Sequence, residues 1–239
     1  MESLKGKTAL ITGAGKGLGK AIALALAAEG VNLAILSRTE SDLLKVKEEV
    51  ASIDSSLKVA IAVADQSDFS SIKTAIASLV SEVGVPDILV NNAGTGKFGK
   101  FLDLDVSEWE NIIKVNLFGV YYVIHEVLPG MLERKSGDIV NVSSTAGQKG
   151  NAMTSAYSAS KFGLNGLTES LMEVRKSDIR VFSMSPSTIA TDLAMGNNLT
   201  DGNPDKVLQP EDFAELLVAH LKLPKRALVK EVGLWSTNP

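Results

Sequence analysis

Short uninterrupted apolar runs alternate along the chain with longer stretches of helical periodicity. The runs are Thr8–Thr12, Asn32–Ser37, Val59–Val63, Ile88–Asn91, Asp138–Val142, Arg180–Ser185 and Leu228–Val232. Each lacks the polar alternation of a strand with one wet face and so reads as a strand covered on both faces. The stretches between them have readable starts. Ser107-x-x-Glu110 has the spacing of a capping box, and Asp65-Gln66-Ser67 offers a cap for a helix over Phe69–Val83. Strand–helix alternation implies right-handed crossovers, and hence a doubly wound parallel α/β sheet of about seven strands with helices on both faces. The length of 239 residues suits one domain, residues 1–239. One segment breaks the rhythm: Thr188–Gln209 is rich in Gly, Asn and Asp with little periodicity. It follows the carboxyl end of a predicted strand, where such sheets bind ligands, and is expected to be a substrate lid.

Composition narrows the chemistry. The chain has 24 Lys+Arg against 28 Asp+Glu, a net charge of −4, with no cysteine and two histidines. Disulfides, thiolate metal sites and cysteine nucleophiles are excluded. The zinc-protease motif fails, since His125-Glu126 is followed by Val127-Leu128-Pro129, and no metal is expected. The mildly acidic balance gives no field for nucleic acid. The longest wholly apolar run, Ala21–Ala28, is far short of a membrane span, and the N-terminus lacks a secretory pattern. A cytoplasmic protein is expected. Its chemistry must run on Ser, Tyr, Lys, Asn, carboxylates or a bound cofactor.

After the first strand comes Thr12-Gly13-Ala14-Gly15-Lys16-Gly17-Leu18-Gly19, opening an apolar helix. The spacing is G-x-x-x-G-x-G rather than the more familiar G-x-G-x-x-G. The physics is shared: glycines allow the tight turn, bring backbone N–H groups to a pyrophosphate and aim a helix N-terminus at its charge. Such a turn is what a Rossmann-type sheet needs to bind a dinucleotide, although a Gly-rich turn without a ligand has the same pattern. About 20 residues on, the second strand ends where an adenosine ribose would lie. An acidic residue there would bind a free 2′-hydroxyl, but this chain has Ser37-Arg38, with Lys16 nearby in the turn. A small hydroxyl and two cations suit a 2′-phosphate, which favours NADP(H) over NAD(H). The alternative is that Arg38 is a solvated loop cation.

Tyr157-Ser158-Ala159-Ser160-Lys161 places a tyrosine and a lysine four apart, on one face of a predicted helix. A free phenol titrates near about 10. An ammonium roughly 4 Å away would favour the phenolate by about 4 kcal/mol, enough to bring the tyrosine toward the working range of an acid–base catalyst. Ser144 ends the run Ile139–Ser144, Asn91-Asn92-Ala93-Gly94 follows the fourth strand, and Asn116 lies in Lys114-Val115-Asn116-Leu117. In order and spacing, over nearly the whole chain, this set resembles the short-chain dehydrogenase/reductase family. The resemblance implies that Tyr157 gives a proton to a substrate oxygen while the cofactor delivers hydride. It implies that Lys161 binds the nicotinamide ribose, Ser144 holds the carbonyl oxygen and Asn116 positions a water linking Lys161 to solvent. Asn91 would steady the sheet and line the cofactor cleft, with Ala93 and Gly94 beside it. Asp65 would contact the adenine edge, and Pro186 and Thr191 the nicotinamide. Read without the family, Ser144 could cap a turn, Asp65 a helix, and Asn116 could lie exposed on its helix.

The chain departs from the family at Pro186-Ser187, where Pro-Gly is usual. Its end, Val232–Pro239, lacks the glycine-rich close common among relatives that reduce acyl-carrier thioesters. The function expected is an NADPH-dependent reductase of a substrate carbonyl. A 3-oxoacyl thioester on acyl carrier protein is one substrate, with Arg134-Lys135 and Arg175-Lys176 as docking pairs for the acidic carrier, although Asp178 stands beside the second. Small ketones, diketones or sugars are the rival substrates, and an NADP(H)-sensing binding protein is the rival outside enzymes. Substrate contacts are expected from the lid and from Thr95, Gln148 and Met153, and the resemblance implies a homo-oligomer, a dimer or tetramer.

Overall fold

In the computed structural model, which describes residues 1–173 and 178–237, seven parallel strands form one sheet in the order β3-β2-β1-β4-β5-β6-β7. The strands are β1 (Thr8–Thr12), β2 (Asn32–Ser37), β3 (Val59–Val63), β4 (Ile88–Asn91), β5 (Gly137–Val142), β6 (Ile179–Pro186) and β7 (Glu231–Leu234). Helices α1 (Gly17–Ala28), α2 (Glu40–Ile53) and α3 (Phe69–Val83) connect the first half of the sheet. The second half carries α4 (Val106–Ile113), α5 (Gly119–Arg134), α6 (Ser155–Leu171), α7 (Asp192–Gly196) and α8 (Pro210–Leu221).

Alternation hidden inside the apolar runs divides the core between the two faces of the sheet. Ala9, Ile11, Leu33, Ile35, Ile88, Val90, Phe182 and Met184 face α1, α2 and α8. Leu10, Ala34, Leu36, Leu89, Ile139 and Val181 face α3, α5 and α6. The uniform hydrophobicity of these strands is therefore the sum of two buried faces.

Three local readings are corrected. The box at Ser107 does not form, because α4 begins at Val106 after Asp105 and leaves Ser107 inside the first turn. The cap of α3 is Asp68, which accepts from the Ser70 N–H, while Asp65 closes its own turn with Ser67. A short polar side chain satisfies the nearest free N–H, and two such residues three apart compete for the role. The last strand starts at Glu231 rather than Leu228. It is an edge strand whose beginning is set by pairing with β6, where Ser183 faces Glu231.

The helical stretch Val106–Arg134 is long and apolar enough to cross a membrane by length and composition. Its apolar residues have another use, since Ile112, Val120, Val123, Ile124, Val127 and Met131 are buried in this fold. Between α4 and α5 the stretch widens into a π turn at Lys114–Phe118, which contains Asn116. Such turns recur where a helix must re-aim a side chain.

Candidate active site

The carboxyl ends of the central strands open on a cleft of about 550 Å³. Its floor is the glycine turn. Gly13 and Gly17 take φ of +66° and +53°, where a Cβ is strained, and a Cβ on Gly19 would stand 2.2 Å from the Gly13 carbonyl oxygen. Side chains at these positions would fill the cradle that a pyrophosphate needs beside the N-terminus of α1. The residues present therefore fit a dinucleotide.

Gly13, Gly15, Lys16, Gly17, Leu18, Gly19, Ser37, Arg38, Asp65, Ala93 and Gly94 all line this cleft, and Pro186 and Thr191 line its other end. Asp65 is held well below the usual carboxylate range by hydrogen bonds from the Ser67 hydroxyl and N–H, with Arg38 adding to the effect. Lys16 does not stand free: its ammonium pairs with Asp192 at 3.0 Å, at the start of α7.

Asn91 is corrected. It does not reach the cleft; its amide donates to Asn141 across the sheet at 2.8 Å, and Asn141 donates in turn to Thr168. The neighbouring Asn92 lines the cleft instead and donates to the carbonyls of Thr12 and Gly13. Strand alternation turns adjacent asparagines to opposite faces, and a sequence motif does not say which is which.

Tyr157, Lys161 and Ser144 converge on the cleft, together with residues of the segment 188–209. Lys161 is buried, donates to the Val142 carbonyl at 2.8 Å and lies 5.7 Å from the centre of the Tyr157 ring. Burial lowers its pKa to about 8. Burial also pushes the Tyr157 phenol up, with the hydrogen bond from Ser144 pulling partly back. The expected lowering of Tyr157 by Lys161 is thus overturned in this arrangement. Both groups leave water together, and the ammonium is bonded to a carbonyl. Ser144 both serves this site and caps the turn after it, accepting from the Ala146 N–H at 3.1 Å.

Asn116 does not lie exposed on its helix: its side chain is fully buried and hydrogen-bonded within the protein. Its Oδ1 accepts from the Thr95 N–H at 2.8 Å, and its Nδ2 donates to the Thr95 carbonyl and the Ser160 hydroxyl. It brackets Thr95, which lines the cleft. Gln148 and Met153 do not line it. Gln148 donates to Glu231 at 2.5 Å, and Met153 is 45% exposed.

The segment expected to be a lid, residues 188–209, is pinned at its base, where Ile189 bridges Leu208 and the Ala190 N–H donates to the Leu208 carbonyl. Thr191 caps α7 within it. Ser187 needs no glycine conformation: among the described residues, positive φ outside glycine occurs at Lys135, Asp178 and Asn198. Its N–H donates to Leu234 and its hydroxyl accepts from Ser236, tying the carboxyl-terminal segment to this loop.

Sequence reasoning missed Asp42, Gln66, Phe98 and Asn111, all in the lining, whereas Leu193 and Leu199 come from the segment expected to contribute. Gln66 is the most informative. It is 5% exposed, its amide donates to the carbonyls of Ala93 and Val115, and its Oε1 has no partner. A buried acceptor left open in a binding cleft is a place for a ligand donor.

A glycine cradle at the switch point of a parallel sheet, with a buried tyrosine–lysine pair beside it, defines a dinucleotide-binding oxidoreductase. The family model for short chain dehydrogenases matches residues 7–202, and the chain belongs to that family. An uncharacterized oxidoreductase of Staphylococcus saprophyticus is 35% identical over 97% of this chain and 98% of its own. An alcohol dehydrogenase of the archaeon Thermococcus sibiricus, complexed with 5-hydroxy-NADP, superposes with a TM-score of 0.91 at 28% identity, covering 98% and 97% of the two chains. A metagenomic short-chain oxidoreductase in complex with NADP has a TM-score of 0.84 at 31% identity, covering both chains completely. The expected doubly wound fold, family and oxidoreductase class all hold.

Proposed function

We propose that the protein reduces a ketone carbonyl with NADPH. The observation that carries this reading is that Ser144, Tyr157 and Lys161 line one cleft with the glycine turn, Ser37 and Arg38. The 5-hydroxy-NADP and the NADP bound to the two neighbouring structures support the cofactor. When bound, it supplies hydride to the carbonyl carbon. The chain does the rest. Ser144 donates a hydrogen bond to the carbonyl oxygen, and the Tyr157 O–H bond breaks as its proton passes to that oxygen, giving an alcohol. A phenol raised by burial holds this proton at neutral pH. Lys161 holds the cofactor ribose and supplies positive charge as the phenolate forms. Asn116 acts as a positioning residue through Thr95. Gln66, Asp65, Asn92 and Ala93 border the adenosine half, and Gly94, beside Lys161, joins Pro186 and Thr191 at the nicotinamide half.

A compact ketone fits better than an acyl chain on a carrier protein. The Arg134 guanidinium is consumed by the carbonyls of Val85, Pro86 and Ser136 and by Asp87 at 3.3 Å. Arg175-Lys176 lie outside the described residues. We therefore place small ketones and diketones ahead of 3-oxoacyl thioesters, acting in the cytoplasm. Phe118, Tyr121 and Phe162, each about half exposed on α5, α6 and the π turn, support self-association into a homo-oligomer.

The test compares NADPH consumption with a small diketone and with an acetoacetyl thioester, using Tyr157→Phe as control. The diketone is expected to be the better substrate, and the variant to lose roughly 10²–10⁴ in kcat while still binding NADPH. Turnover undiminished in Tyr157→Phe overturns the mechanism. NADPH binding without turnover on any carbonyl replaces it with a sensing role.

A further inference from the structure

The loop between β4 and α4 has little regular structure of its own, yet it is held at three points. Asn116 brackets Thr95. The Gly99 N–H donates to the Met153 carbonyl at 3.0 Å. The third tie comes from the lid, about 100 residues away in sequence. Asn197, directly after α7, accepts from the Phe98 N–H at 3.4 Å and donates to the Gly96 carbonyl at 3.3 Å. Its amide is oriented by a shorter bond to the Leu193 carbonyl, 2.8 Å.

These ties place one side chain against the reacting group. The Phe98 ring stands edge-on to Tyr157, with centroids 5.3 Å apart and planes at 73°. Gly96 permits this approach, since a Cβ there would lie 3.2 Å from the Tyr157 ring and 3.3 Å from Phe98. Any carbonyl that accepts the Tyr157 proton must therefore carry one substituent past Phe98. Leu193 and Leu199 of the lid also line the cleft.

We infer that Phe98 sets the size of the ketone substituent admitted beside Tyr157, and that Asn197 is the positioning residue that locks Phe98 in place. This rests on the carbonyl-reductase reading above. A bulkier substituent must push Phe98 aside, and that motion breaks the hydrogen bonds joining its loop to Asn197. The lid thereby enforces substrate size through the loop it holds, in addition to covering the cleft. A merely structural Asn197, closing the end of α7 through Leu193, would have no such coupling to Phe98.

The experiment is a double-mutant cycle on Phe98→Ala and Asn197→Ala. It reads the ratio of kcat/KM for an aryl alkyl ketone to that for a small methyl ketone, together with the NADPH Kd. Phe98→Ala is expected to raise the ratio by about tenfold or more and Asn197→Ala by several-fold. The double variant is expected to match Phe98→Ala, because residues acting through one another are not additive. The NADPH Kd should stay within about twofold in all three. Additive effects, or a selectivity change explained by a weakened NADPH Kd, overturn the inference.

Amide exchange of residues 96–99 in the NADPH complex gives a readout free of turnover. It is expected to quicken by about tenfold or more in Asn197→Ala, and unchanged exchange also overturns the inference. If the wild type neither reduces ketones with NADPH nor oxidises alcohols with NADP⁺, the functional reading itself falls. The role of Phe98 in selection falls with it, while the exchange result still decides whether Asn197 holds the loop.

Discussion

The two ends of β5 and β6 bury polar groups in opposite ways. At their amino ends, Asp138 on β5 lies in register with Arg180 on β6. One carboxylate oxygen takes the Arg180 Nε at 2.6 Å and the other takes the Lys225 ammonium at 2.8 Å. The rest of the guanidinium donates to the carbonyls of Leu221 and Leu223. Beside it His220 stacks on Phe182 at 4.1 Å, and burial, with Arg180 next to it, lowers its pKa. Every charge in this group has a partner. At the carboxyl ends, Ser143 Oγ, in the cleft lining, is buried with no protein partner, as is Gln66 Oε1 across the cleft, beyond the end of β3. Lys161 adds a buried ammonium that donates to the Val142 carbonyl. Satisfied polar groups fix a structure, whereas open ones hold free energy that a ligand can recover. The same pair of strands thus serves as anchor at one end and as reaction vessel at the other.

That contrast is exposed to test, and the largest effect belongs to the anchor. Asp138→Asn strands the charges of Arg180 and Lys225 and should cost about 3–5 kcal/mol of stability, read by urea unfolding. Its kcat/KM at low temperature should stay near that of the wild type. A large fall in activity without loss of stability would break the division between the two ends.

Next comes Lys161. Its pKa of about 8 in the fold lies below the unfolded value of about 10.4. Between these values the unfolded chain binds more protons, so stability rises with pH through that window. The gain should reach roughly 3 kcal/mol and be absent from Lys161→Met. Ketone reduction should fall above about pH 8 as the same ammonium deprotonates. A pH–rate profile flat to pH 10 would remove Lys161 from the mechanism.

At the cofactor end the effects are smaller. Ser37→Asp combined with Arg38→Ala should lower the NADPH-to-NADH ratio of kcat/KM by about ten- to a hundredfold, the worth of one charged contact. An unchanged ratio would make Arg38 a bystander. Smallest is Asp42→Asn. Asp42 Cβ and Ser37 Oγ both stand 3.0 Å from where a Gly15 Cβ would lie, so a carboxylate shares the ground of the expected 2′-phosphate. Removing it should tighten NADPH by a few-fold without affecting NADH, as titration of each would show.

The alternation of buried runs and amphipathic stretches carried the parallel sheet, and six of the seven strands fall within a residue or so of their expected limits. The edge strand β7 slid by a few residues because pairing on one side, rather than apolar content, decides where it starts. The glycine turn and the Tyr157–Lys161 pair were legible because their roles depend on local geometry, a tight turn and one helical spacing. Asn91, Gln148 and Met153 were misplaced because the direction of a side chain at a strand end or in a loop depends on its neighbours. Gln66, Asp42 and Asn197 gave no signal, since each matters through a residue distant in the chain.

The layered fold, the dinucleotide turn and the Tyr157–Lys161 spacing were written in the local sequence, for these follow from periodicity and near-neighbour spacing. Tertiary structure decided the electrostatics and the enclosure of the site. Desolvation lowered Lys161 and raised Tyr157 together, and hydrogen bonds from the lid set Phe98 against the phenol. Both effects arise from water excluded and contacts made across long sequence distances, quantities that exist only once the chain has closed on itself.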